Sequence, residues 1–182
     1  MNSTQQINKY NTGLVQIFTG DGRGKTSAAL GTVMRASGYG LKSYIVFFLK
    51  GIHEGGEYNS LKRLPGIDYA IFGRSDFMGP QYTTQADLDY AQQALTEAKR
   101  VISSGEYDVV MLDEINTASA WKLIDIEDVV ELVKSKPQKV ELILTGRHAD
   151  TRLVVLADQV TELVNRKHPF EKGVDARQGI DY

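Results

Sequence analysis

The sequence predicts an α/β fold, a mainly parallel six-stranded sheet with helices on both faces. Three observations carry that expectation. Short β-branched or aromatic runs alternate with helical patterns from end to end, as crossover units around a parallel sheet require. The runs VVML at 109–112 and YIVFFL at 44–49 are apolar without alternation, which suits strands covered on both faces and places them at the centre of the sheet. The 182 residues, 42% hydrophobic and 24% charged with only four prolines, have the composition of one folded domain, able to bury roughly 70% of its unfolded surface.

A polar segment, MNSTQQINKYNT at 1–12, precedes a single domain expected over 13–182. The first strand, 14–18, runs into TGDGRGKTS at 19–27 and then a helical pattern, AALGTVMRA. Strands follow at 43–49 and 68–72. Between 84 and 103, Leu88, Ala91, Leu95, Ala98 and Ile102 recur at spacings of three and four, the stripe of an amphipathic helix, and Thr84 followed by Asp87 suits its start. The next strand, 108–112, is followed by a helix marked by Ile126, Val129, Val130 and Val133, with Asp125 as N-cap and Pro137 just beyond its end. Strands at 140–144 and 159–164 complete the set. From Lys167 to Tyr182 neither period holds, so 167–182 is expected as an ordered tail or loop laid across the domain.

With 21 basic and 23 acidic residues the net charge is −2, and nothing global points to nucleic acid or an anionic membrane as partner. The chain has no cysteine, which removes disulfides, thiolate metal sites, iron–sulfur clusters and a cysteine nucleophile together. The longest uninterrupted apolar run is the six residues 44–49, far short of a membrane span, and the first dozen residues carry no basic region leading into an apolar one. A cytoplasmic protein is expected.

The sharpest motif is TGDGRGKTS, because it follows a strand and opens a helix. Backbone N–H groups of a glycine-rich turn converge on phosphate oxygens where side chains would interfere, and the helix N-terminus adds partial positive charge. Lys25 supplies a full charge, and Thr26 presents a hydroxyl where a phosphate-bound Mg²⁺ would sit, in the manner of the P-loop pattern G-x-x-x-x-G-K-[ST]. The loop is a variant of that pattern: Thr19 stands at the first glycine position, and the glycines are Gly20, Gly22 and Gly24. Thr19, Gly20, Asp21, Gly22, Arg23, Gly24, Lys25, Thr26 and Ser27 are therefore the candidate nucleotide-phosphate contacts. The bland alternative, a strand-to-helix turn without a ligand, leaves the Gly-Lys-Thr at the helix start unexplained.

Other candidates stand where apolar strands end. Asp113 and Glu114 close VVMLDEIN and would face the same crevice as the loop, able to hold or orient Mg²⁺ directly or through water, while one of the pair caps the next helix instead. Arg147 ends LTGR and would reach a phosphate or stand in solvent. Arg35 lies ten residues beyond Lys25, roughly 15 Å along a helix, which by itself makes it a structural or surface residue. His53, His148 and His168 show no metal-ligand spacing, and Trp121 reads as a packing residue.

The motifs TGDGRGKTSAALG, FFLKG at 47–51, LDEIN at 112–116, LTGRHA at 144–149 and KHPFEKGVDARQGIDY at 167–182, in this order, make the chain resemble the P-loop-type ATP:corrinoid adenosyltransferases from about Gly13 to Tyr182. The resemblance implies a P-loop NTPase-like fold, usually a homodimer, that transfers the 5′-deoxyadenosyl group of ATP to the Co(I) centre of a corrinoid and releases triphosphate. ATP and the corrinoid are then substrates, Mg²⁺ the cofactor, and an electron donor for Co(II) a partner. Lys25, Thr26 and Glu114 take the catalytic roles, with Thr26 and Glu114 as metal contacts, and Arg35 helps to anchor a nucleotide that lies reversed in the loop. Members of the family carry a Gly-Phe-Thr-Trp loop after the third strand. Here the stretch reads FGRSDFMGPQY, without tryptophan, and Phe77 and Met78 stand at the corrinoid-binding positions. Two readings compete: a P-loop ATPase in which Glu114 activates water on the γ-phosphate, and a nucleotide- or corrinoid-binding module without catalysis.

Overall fold

The computed structural model describes residues 11–51, 56–75 and 79–180. Its strands are β1 (Val15–Thr19), β2 (Ser43–Phe47), β3 (Ile67–Ile71), β4 (Val109–Asp113), β5 (Glu141–Thr145) and β6 (Gln159–Glu162). The helices are α1 (Lys25–Gly38), α2 (Gly56–Leu61), α3 (Gln85–Ser103), α4 (Ile115–Ala120), α5 (Ile126–Lys134) and α6 (Thr151–Leu156), with 3-10 turns at Pro80–Tyr82 and Pro169–Lys172. All six strands lie parallel in one sheet, in the order β3-β2-β4-β5-β1-β6.

The six strands fall within one or two residues of the positions their apolar runs predict, except that β2 stops at Phe47 and Leu49 turns the chain with a left-handed backbone, φ 57°. Of the two runs expected at the centre, β4 takes it beside β5, whereas β2 stands one place in from the edge under β3. Both are buried along their whole length. Any interior strand has a neighbour on each side and helices above and below, so an unbroken apolar run marks an interior strand without ranking it.

Alternate residues of each strand feed two cores. On one face Val46, Phe48, Val110, Leu112, Leu142 and Leu144 pack against α3, α4, α5 and α6, with Trp121 at the margin. On the other, Ile45, Phe47, Met111 and Ile143 pack against α1 and α2 through Ala29, Val33, Tyr58 and Leu61. Helices α2, α4 and α6 are six residues each, too short for a periodic signal in the sequence. No described helix is long and apolar enough to cross a membrane.

The expected starts of α3 and α5 are both present. Asp125 accepts a hydrogen bond from the Glu127 N–H at the head of α5. At the head of α3, one Asp87 oxygen accepts the Thr84 N–H and hydroxyl, each at 2.8 Å, and the other accepts Arg74 Nε at 2.8 Å. Burial alone would raise the Asp87 pKa, but the bonds from Arg74 and Thr84 outweigh it and hold the carboxyl below its ordinary 3.8. A depressed carboxyl stabilises the fold above its unfolded pKa and loses that contribution as pH falls through the folded value. Asp87→Asn should therefore cost about 1–3 kcal/mol at pH 7. The gap in melting temperature from wild type should close as the pH drops below about 4. A gap that stays constant from pH 7 to pH 2.5 would show that the charge of Asp87 does not stabilise α3.

Candidate functional site

Because β1 lies between β5 and β6, with β4 next to β5, the segments that leave the C-terminal ends of these strands share one edge of the sheet. Open α/β sheets bind ligands at that edge. There Gly20 and Gly24 take left-handed backbones, φ 94° and 108°, and Gly24 is the N-cap from which α1 begins at Lys25. Two of the loop glycines answer to a neighbouring segment as well. A Cβ on Gly20 would lie 2.4 Å from the Leu163 carbonyl oxygen, and one on Gly22 2.6 Å from it, while the Gly22 N–H donates to that same oxygen at 2.7 Å. The chain leaving β6 thus braces the loop.

Lys25 is 8% exposed, and its ammonium donates to the carbonyls of Gly20 and Gly22 at 2.8 and 2.7 Å. Burial pushes its pKa below the usual lysine range, with Arg147 adding to the effect against the pull of Glu114, Asp21 and Asp113. An ammonium so stripped of water interacts strongly with any anion that enters the loop.

The two acidic residues at the end of β4 have different surroundings. Asp113 is fully buried: Oδ1 accepts the Thr145 hydroxyl at 2.7 Å, and Oδ2 accepts Lys50 Nζ at 2.5 Å. Glu114 has a left-handed backbone, φ 63°, at the N-cap position of α4. Its N–H donates to Thr145 Oγ1 at 3.0 Å, and its carboxylate accepts the Thr117 hydroxyl at 2.5 Å. Neither carboxylate caps the helix backbone, contrary to the expectation for one of the pair. The turn to a left-handed residue is what separates them, sending Asp113 into the sheet and Glu114 toward the loop.

Two cavities flank the loop. One, of about 390 Å³, is bordered by Lys25, Thr26, Ser27, Lys50, Glu57 and Glu114 among others. The second, of about 510 Å³, lies on the other side against Asp21, Gly22, Arg147, His168, Phe170 and Asp175; Arg23 and Lys25 border both. The C-terminal tail closes over them. Arg23 donates to the Ile180 carbonyl, Gly179 and Ile180 border the first cavity, and His168 accepts the Phe170 N–H in the turn beside the second. The Thr19 hydroxyl accepts the Ala149 N–H at 3.2 Å. The Thr26 hydroxyl and Glu114 carboxylate on the first cavity are hard oxygen donors of the kind Mg²⁺ takes beside phosphate oxygens. Among the described residues no group of three or more His, Asp or Glu could hold a metal ion unaided.

Arg35 is not brought to the loop. It stands exposed in a separate groove with Gln16, Thr32, Tyr39 and Glu141, at the end of the sheet where β1 and β5 begin. Roughly 15 Å of helical rise separates Arg35 from Lys25. Phe77, Met78 and His53 lie outside the described residues. Lys50, Thr145 and Ile180 lie within the motifs FFLKG, LTGRHA and KHPFEKGVDARQGIDY without a role of their own in the sequence, and Thr117 lies just beyond LDEIN. Lys50 carries the same signal as Asp113 and Arg147, a polar residue just past an apolar strand.

A family model described as ATP:corrinoid adenosyltransferase BtuR/CobO/CobP matches residues 11–182. A corrinoid adenosyltransferase of Escherichia coli is 36% identical over 170 residues, covering 93% of this chain and 86% of that protein. The corrinoid adenosyltransferase CobA of Salmonella typhimurium is 35% identical with the same coverage, and a corrinoid adenosyltransferase of Pseudomonas aeruginosa is 31% identical over 171 residues, covering 93% and 84%. Among solved structures, the KaiC-like protein PH0186 of Pyrococcus horikoshii superposes with a TM-score of 0.56 at 16% identity, covering 86% of this chain and 75% of that one. That likeness concerns the fold, which is P-loop NTPase-like.

Proposed function

The chain belongs to the ATP:corrinoid adenosyltransferase family, and on that premise we propose that it transfers the 5′-deoxyadenosyl group of ATP to the Co(I) centre of a corrinoid and releases intact triphosphate. The observation that carries the reading is the single cavity bordered by the glycine loop, Lys25, Thr26 and Glu114, in a chain without cysteine and with no histidine among the described residues that border it. Such a site is equipped to hold a triphosphate and poorly equipped to supply a nucleophile. Adenosyl transfer needs none from the protein, since the doubly reduced cobalt of the substrate is itself the nucleophile.

In this reading the cobalt electron pair attacks C5′ of ATP, the Co–C bond forms as the C5′–O bond breaks, and the bonding electrons leave with the triphosphate oxygen. The protein's work is alignment and charge. The loop amides of residues 20–27 and the Lys25 ammonium meet the charge that builds on the leaving triphosphate. Thr26 and Glu114 would hold Mg²⁺, Asp113 would help to orient it from the end of the same strand, and the ion would supply further neutralisation of the phosphates. Arg147, on the second cavity beside Lys25, reaches the nucleotide from the other side of the loop. Supply of Co(I) requires an electron donor, and the family resemblance adds a homodimer in the cytoplasm.

Product analysis tests the reading directly. Phosphorus NMR of a reaction with MgATP and chemically reduced corrinoid should show inorganic triphosphate, and the visible spectrum should show a new cobalt–carbon bond. Orthophosphate and ADP in stoichiometric amount, with no organocobalt product, would replace transfer by hydrolysis. Neither set of products would leave a binding module.

A further inference from the structure

Lys50 sits on an unusually constrained stretch of backbone. The residue before it, Leu49, is left-handed, and the segments after β2 and β3 press on each other around it. A Cβ on Gly51 would lie 2.3 Å from the Ser75 nitrogen, and one on Gly73 2.6 Å from the Lys50 nitrogen, whose N–H donates to the Phe72 carbonyl at 3.2 Å. Its ammonium is held on the inner side by Asp113 at 2.5 Å and by the face of the Phe47 ring, 5.0 Å from the centroid. The side chain is 26% exposed, and what it exposes borders the cavity of the phosphate loop.

A counterion for Asp113 need not reach that cavity. An ammonium has three donors, and among the described residues Asp113 accepts one of them. Among the described residues, the ionisable side chains bordering the cavity are Arg23, Lys25 and Lys50 against Glu57 and Glu114, a net charge of +1 to which Lys50 contributes. We propose that Lys50 is a second phosphate-binding lysine, its ammonium bridging the buried Asp113 carboxylate and the polyphosphate of the nucleotide. The inference rests on the reading of the loop as a triphosphate site. It adds a cation from the end of β2, across the cavity from the loop itself, so that the polyphosphate is gripped from two strands.

Calorimetric titration of the full chain with inorganic tripolyphosphate, in buffer free of divalent cations, tests the proposal. Replacing Lys50 alone would strand a buried carboxylate, so the decisive comparison is Asp113→Asn against the double variant Lys50→Met/Asp113→Asn, in which that carboxylate is gone. Loss of a charge-assisted contact should weaken tripolyphosphate binding by about tenfold or more in the double variant relative to Asp113→Asn. Lys50→Arg, which keeps the charge and the pairing with Asp113, should stay within a few fold of wild type. Equal affinities of the two Asp113→Asn proteins would reduce Lys50 to a counterion, and a wild-type protein that does not bind tripolyphosphate would overturn the proposal as well. Tripolyphosphate binding that depends on Lys50, in a protein yielding no organocobalt product, would sink the transfer reading alone.

Discussion

Replacing Lys25 by Met should lower kcat/KM for ATP by roughly 10²- to 10³-fold, about 3–4 kcal/mol, the cost of removing one preorganised donor aimed at developing charge. Met keeps most of the stem and volume and removes the ammonium. The effect is large because Lys25 is desolvated, and because it ties the loop together through the carbonyls of Gly20 and Gly22. Both kcat and ATP binding should suffer, since the charge on the triphosphate is present in the ground state and grows as C5′ departs. Steady-state kinetics with pre-reduced corrinoid would measure this, and a thermal melt would check that the fold survives. A folded Lys25→Met protein with kcat/KM near wild type would take the loop out of the chemistry.

Gly20→Ala should destabilise the protein by about 2–4 kcal/mol, from two separate causes. A left-handed backbone disfavours a side chain by about 1–2 kcal/mol, and the new Cβ would fall 2.4 Å from a backbone oxygen, inside van der Waals contact. The Leu163 segment must then move off the loop it braces. Gly31→Ala is the matched control, because nothing lies within 4 Å of a Cβ there and the residue is in the body of α1. It should stabilise by about 0.5–1 kcal/mol. Urea denaturation of both variants would compare them, and equal midpoints would mean that Leu163 does not hold the loop in place.

The glycines of TGDGRGKTS illustrate how far a motif reaches. Read along the chain they exist for a phosphate, and the helix that follows them supports that reading. In the folded protein Gly20 and Gly22 are also required by a carbonyl some 140 residues further on, a constraint no local pattern announces. Arg35 shows the converse. Helical rise separates it from Lys25, and the fold leaves it at the end of the sheet where β1 and β5 begin. Asp113 and Glu114 are adjacent letters with opposite fates because the backbone of Glu114 turns left-handed.

What the sequence determined by itself is the succession of elements, the strand-loop-helix context of the Gly-Lys-Thr motif, and membership of a family recognisable from ordered motifs. Each of these rests on local physics, the covering of apolar runs and the caps of helices, or on spacing along one chain. Only the tertiary structure decided that β1 is inserted between β5 and β6, that Lys50 meets Asp113 across two strands, and that the tail reaches the loop at Arg23. Strand order is set by which faces are buried together once every backbone hydrogen bond is satisfied. That is a property of the whole packed sheet, to which residues distant in the sequence contribute at once.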